Sequence, residues 1–216
     1  RPPAHAPEFS RVFAARTCMM AGVGLTGVFL WYLVRFWVYG KAVVLTSAPL
    51  TIPAGFLIAG MAVATLIGAA LASWAAGPIS ERIEEKNIPV ARVVAGACLL
   101  YAAGLALAWG LGVWSTGTAR ENGMLLFALI SGFAFGVYDS LGLELVMDSL
   151  PDPRRAGHDL GIYALANSAG LALAAIIGAL LVNAFEHSFG YYLLFPSAIV
   201  MVLLAGIVTL TTKSAE

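Results

Sequence analysis

The chain has 216 residues, of which 60% are hydrophobic and only 11% charged, and its formal net charge is zero. Soluble domains carry about a quarter charged residues, so this composition excludes one and indicates a polytopic α-helical membrane protein. Neutral overall charge without a basic patch excludes a nucleic-acid binder. The two cysteines, Cys18 and Cys98, stand far apart in apolar runs, with no CxxC or His/Cys cluster. Neither a disulfide framework, nor a metal site, nor a cofactor is expected.

Arg1 to Pro7 reads as the polar, proline-rich end of a linker, and the start at Arg1 without a signal-peptide pattern is the expectation for a piece of something longer. The first span is expected over 12–39, with Arg11 and Arg16 marking one end and Trp31, Tyr32, Phe36, Trp37 and Tyr39 forming an aromatic belt at the other. Lys41 to Pro53 reads as a loop. The second span, 54–76, repeats small residues at Gly60, Ala64, Gly68, Ala72 and Ala76, a row that predicts close helix packing. Gly77 to Asn87, GPISERIEEKN, reads as a charged turn. The third span, 90–113, ends in Trp109 and Trp114, and the fourth covers 123–150. The fifth, 159–185, repeats the small-residue row at Ala166, Gly170, Ala174 and Gly178, and the sixth covers 191–210.

Six spans put both termini on one side. That side would hold nine of the 12 Lys and Arg residues (Arg1, Arg11, Arg16, Arg82, Lys86, Arg92, Arg154, Arg155, Lys213), against Arg35, Lys41 and Arg120 opposite. The positive-inside rule then predicts cytoplasmic termini and, with these spans, a multi-pass protein of the cell membrane.

The fourth span is unusual in carrying acids at Asp139, Glu144 and Asp148 before the chain breaks at Pro151 and Pro153. A carboxylate in an apolar span costs several kcal/mol, so such groups face a bundle interior or a watery cavity and mark ion or solute pathways. Glu144 and Asp148, four apart, share one helix face, which Gly132, Gly136 and Ser140 continue as a row of close contact. Asp139, nine residues before Asp148, falls about 13 Å deeper and near the middle of the hydrocarbon layer. It is the first candidate for coupling to a proton or binding a polar solute. Glu144, Tyr138, Asn167 and Ser168 complete the candidate pathway.

Two stretches resemble a known family. Gly77, Glu81, Arg82 and Lys86 are similar to the signature loop of the major facilitator superfamily, with Glu81 where that loop has Asp. Tyr138, Val146 to Pro151 (VMDSLP), Arg154 to Ile162 (RRAGHDLGI) and Ala166–Asn167 resemble the corresponding part of its sucrose-transporter-like branch, allied to the glycoside–cation symporters. The resemblance extends over the whole chain. It implies an all-α membrane fold, residues 1–216 forming one six-helix bundle that is the C-terminal half of a twelve-helix transporter. It further implies transport of a small solute by alternating access, with a sugar as substrate and a proton as coupling ion. Departures at Gly142, Ala164, Gly170 and Leu171 fall where that branch carries Asp, Asn, Pro and Gln. The partners implied are an N-terminal six-helix half, from the same parent chain or a second copy, the solute, and the bilayer.

A carboxylate near a helix N-terminus is favourable. Glu81 is therefore expected to cap the start of the fifth span, and Arg82 to pair with Asp148. With Gly77, Arg154 and Arg155 this makes a cytoplasmic gate that latches and releases. A membrane-embedded enzyme is the competing class. Ser168, however, sits in Ala-Asn-Ser-Ala-Gly with no His inside a span, and the three acids lack the spacing of one compact metal site. A channel or scaffold subunit remains open on composition.

Overall fold

The computed structural model describes residues 7–39, 52–114, 117–148, 156–185 and 187–212. They form helices only: α1 (Pro7–Gly27), α2 (Leu30–Tyr32) running into a π-helical segment (Leu33–Val38), α3 (Ile52–Lys86), α4 (Val90–Trp114), α5 (Thr118–Asp148), α6 (Ala156–Ala184) and α7 (His187–Leu210). Six stretches are long and apolar enough to cross a membrane, the first running through the break between α1 and α2. Fold class and span number agree with the sequence reading. The loop expected over 41–53 lies almost wholly outside the described residues, as do the breaks at Pro151 and Pro153.

Two boundaries differ from expectation, and both affect the site. Helix α1 begins at Pro7, so Arg16 stands well inside the span rather than marking its end. Helix α3 does not stop at Ala76. It continues through Gly77 and Pro78 to Lys86, so the presumed charged turn is helical. Glu81, Arg82, Glu84, Glu85 and Lys86 are strong helix formers and outweigh the one backbone hydrogen bond that Pro78 removes. The helix ends at Lys86, and Asn87 directly after it lies in the left-handed region at φ 49°. There Ile88 N–H donates to Ile83 O at 3.0 Å and Asn87 N–H to Glu84 O at 3.2 Å, a paired termination that satisfies carbonyls the helix leaves free.

The helices pack in an exchangeable pattern. Helix α1 lies against α6 and α7, α5 lies against α3 and α4, and α4 packs on α7. Swapping the first three spans for the last three maps these five pairings onto one another, as an internal two-fold repeat would, while the smaller α6–α7 contact has no α3–α4 counterpart of similar size among the described residues. Helices α4 and α7 therefore form the back of the bundle, α1 and α5 stand side by side on them, and α3 and α6 flank the front. Helices α1 and α5 touch each other only sparingly, which leaves a seam between them.

The small-residue rows make the flanks close. A Cβ at Gly132 would meet the Thr65 carbonyl, one at Gly136 the Ala72 methyl, and one at Gly68 the backbone of Leu129 and Phe133. The α6 row does the same against α1: Gly170 packs on Met20 and the Thr17 carbonyl, Ala174 against Gly24, and Gly178 under the Phe29 ring. Behind them Met19, Leu25, Leu105, Met124, Leu194, Phe195 and Val202 are fully buried. The wide π turn carries Trp37 onto Gly112 of α4, where its ring meets Tyr192 edge-on at 4.1 Å. Exposed Phe56, Leu66, Trp74, Leu165 and Leu180 give the outside the apolar surface a bilayer requires.

Candidate functional site: a charged pair in the α1–α5 seam

Spacing on three helices assembles the site. Phe135, Tyr138 and Asp139 stand at i, i+3 and i+4 on α5, and Tyr163 and Asn167 at i and i+4 on α6, so each set forms one stripe. Arg16 lies nine residues past the start of α1 at Pro7, and Asp139 nine before the end of α5 at Asp148. Both are thus about 13 Å from the same end of the bundle, a depth at which an unpaired charge is expensive.

The pair forms there. Arg16 Nη1 lies 2.7 Å from Asp139 Oδ1. Arg16 Nε donates to Asn167 Oδ1, also at 2.7 Å. The guanidinium carbon lies 5.6 Å from the centroids of the Phe135 and Tyr138 rings and 5.7 Å from that of Tyr163. Aromatic faces attract a cation, so α1, α5 and α6 all hold this one group. The two partners differ sharply in exposure: the Arg16 side chain is 9% accessible and that of Asp139 55%. The cation is fixed and enclosed, while its counter-charge sits at the opening.

The same seam widens further along. Val23, Thr26 and Leu30 on the α1–α2 segment, Ile58, Met61 and Thr65 on α3, Tyr101 on α4, and Phe127, Ala128 and Ser131 on α5 line a cleft of about 260 Å³. Val23 is seven residues from Arg16, and Ser131 eight from Asp139, so the cleft begins about 10–12 Å from the pair. Its walls are mainly apolar. Besides Tyr101, three aliphatic hydroxyls line it: Thr26 donates to Val23 O at 3.2 Å, Thr65 to Met61 O at 2.9 Å, and Ser131 to Ala128 O at 3.0 Å. Their protons are committed to their own helices, so what they offer a solute is acceptor lone pairs.

At the opposite end of the bundle the first span is tied to the start of α5. Arg120 Nη1 donates to Trp37 O at 3.0 Å. Burial, and then the Glu121 carboxylate that accepts from it, push the Tyr39 hydroxyl up to about 12.

The expected pathway residues divide. Tyr138, Asp139 and Asn167 converge on Arg16, whereas Glu144 and Ser168 are exposed on their helices. Sequence reasoning missed Arg16, which was assigned to the membrane boundary, and Tyr163. A signal for Arg16 existed: an intramembrane carboxylate demands a cation, and of the two arginines near the starting end of the first span, Arg11 and Arg16, Arg16 is the one further inside. Of the expected gate, Gly77, Glu81 and Arg82 are exposed on the last turns of α3. Among the described residues no ion pair joins Glu81 or Arg82. Arg154, Arg155 and the Asp148 side chain lie outside the described residues. The first turn of α6 carries an acid of its own, buried Asp159, whose Oδ1 lies 3.2 Å from His158 Nδ1.

The profile of the Major Facilitator Superfamily matches residues 54–216, three-quarters of the chain. The chain belongs to the major facilitator superfamily. It is a multi-pass membrane protein of a solute-transporter family, and the membrane-enzyme alternative has no support beside that membership. The match takes in α3 to α7 and leaves the first span outside it, so the arginine half of the pair lies beyond the matched region. No curated protein and no solved structure matches the chain at a significant level.

Proposed function

We propose that this major facilitator chain is one half of a proton-coupled carrier that works by alternating access, with the α1–α5 seam as its solute path. The observation that carries this reading is the Arg16–Asp139 pair, an enclosed cation bound to a half-exposed carboxylate at membrane depth. A carboxylate there, reachable by water and by a solute in the seam, is placed to exchange a proton as the solute enters and leaves. Asp139 would be the proton carrier, Arg16, Asn167, Tyr138 and Tyr163 its setting, and the cleft beside Ser131 the solute's wall.

The open seam and the sparsely buried α3 and α6 support closure by a second six-helix bundle, from the same parent chain or a second copy. The reading places the protein in the cell membrane with both termini cytoplasmic. With Arg16 assigned to the seam, the basic residues still divide eight to three. Glu81 and Arg82 at the end of α3, with Asp148, Arg154 and Arg155, would form the cytoplasmic latch.

A sugar is the second reading of the substrate. The branch resemblance implies it, and the hydroxyls of Thr26, Thr65 and Ser131 in the cleft favour it. The carrier mechanism is tested with single cysteines at Ser131 and Ser140 in a Cys18→Ser/Cys98→Ser background. Alternating access predicts that a membrane-impermeant thiol reagent reaches the two sites from opposite faces, with solute shifting their labelling in opposite directions. Labelling of both from both faces at once would indicate a channel.

A further inference from the structure

The charge of the seam selects its solute. We propose that the substrate is a small organic monocarboxylate whose carboxylate takes the place of Asp139 on Arg16 when Asp139 is protonated. This rests on the proton-coupled reading above and names the solute class for it.

With Asp139 ionised, the seam holds one positive and one negative charge, 2.7 Å apart at the nearest atoms. Protonating Asp139 alone leaves the enclosed guanidinium without a counter-charge, a state that low-dielectric surroundings penalise heavily. A neutral solute such as a sugar does not cure this, since hydroxyls supply no net charge. A monoanion does. The loaded seam then contains Arg16 as a cation, Asp139 as a neutral acid and the solute as an anion, and its sum is zero as before. One proton and one anion enter together and leave together, and no bond other than Asp139 O–H is made or broken.

The geometry fits the exchange. Arg16 keeps its place without Asp139, because Asn167 holds Nε and three aromatic rings surround the guanidinium. The carboxylate that must yield is the half-exposed member, at the mouth of the site. A guanidinium favours carboxylates through paired, planar N–H donors. The Phe135, Tyr138 and Tyr163 rings around the guanidinium give the tail of such an acid an apolar surface, which suits it better than a polyhydroxylated ring, whose many donors they could not match.

Binding to the complete purified transporter in detergent provides the test, with benzoate and lactate as probes against benzamide, lactamide, glucose and sucrose. Both anions are expected to bind more tightly by roughly tenfold per pH unit of acidification, as uptake of one proton requires, and the neutral probes not to bind. In Asp139→Asn the pH dependence should vanish while anion binding remains, and in Arg16→Gln binding should be lost. Should Asp139→Asn fold poorly, the Asp139→Ala protein gives an independent readout. Its melting temperature should rise with added benzoate as the anion fills the missing carboxylate's place, and no rise should occur in Arg16→Gln/Asp139→Ala. Proton-linked binding of a sugar with none of either anion would overturn the anion assignment and leave the carrier reading standing. Anion binding indifferent to pH in the wild type would overturn the exchange. If no probe binds, and imposed pH gradients drive no uptake of any of the six, the carrier reading falls with it.

Discussion

The Arg16–Asp139 pair makes a quantitative prediction about stability. At a charge separation of about 4 Å the attraction is about 4 kcal/mol at an effective dielectric of about 20, and about 1 kcal/mol in water. The enclosed arginine and the 55% exposed aspartate place this pair between those limits, at about 2 kcal/mol. Asp139→Asn leaves a cation enclosed by rings, and Arg16→Met leaves a carboxylate that water can reach; either change forfeits the pair. The double variant forfeits it only once, so the cycle should show a coupling of about 2 kcal/mol, measured by chemical unfolding in detergent micelles. In melting temperature, for a domain of this size, that is about 4–8 °C less loss in the double variant than the singles sum to. Additivity within about 0.5 kcal/mol would refute the claim that the two charges sustain each other.

Three further outcomes follow from other parts of the fold. Tyr39 has its hydroxyl raised from 10 to about 12, by burial and then by Glu121. Its contribution is therefore complete below about pH 10 and lost as pH climbs through about 12. Alkaline unfolding of Tyr39→Phe should lack that component, and an unchanged profile would sink the assignment. Gly132→Val would force a side chain into the Thr65 carbonyl and separate α3 from α5. A loss of about 3 kcal/mol or outright failure to assemble is expected by size-exclusion profile and thermal melt, whereas Gly142→Ala, at a site with open space, should be tolerated. Arg82→Glu, on the exposed last turns of α3, should cut solute uptake by about tenfold while leaving expression and melting temperature unaltered; unimpaired uptake would remove the latch.

Much of the fold is legible in the sequence because hydropathy alone sets it. Six apolar stretches of spanning length cannot be anything but spans, and small residues at every fourth position foretell which faces come close, as Gly132 on Thr65 and Gly170 on Met20 show. The misjudged stretch, Gly77 to Lys86, carries a Gly-Pro pair that signals a turn locally. Helix continuation there is decided by the residues after Pro78 and by the termination at Asn87. The site was half legible. Asp139 declares itself as a carboxylate where none is comfortable, and Tyr138 and Asn167 lie on stripes facing it. Arg16 looked like an ordinary boundary charge because positive-inside reasoning counts basic residues without asking where the helix starts. Its pairing joins elements far apart in sequence, which no local pattern encodes. The direction in which Glu144 and Ser168 face depends on helix rotation, and the low amphipathicity of spans that are apolar all round leaves that rotation unspecified.

The central claim is that Asp139, held by Arg16, carries the proton that drives the solute. Its most direct measurement is uptake into proteoliposomes of the complete transporter with an imposed inward proton gradient, comparing wild type with Asp139→Asn. The account predicts gradient-driven accumulation by the wild type. In the variant, accumulation is lost but solute exchange across the membrane at equal concentrations persists, since binding and the conformational cycle survive without the titrating group. Accumulation by Asp139→Asn at the wild-type level would contradict it.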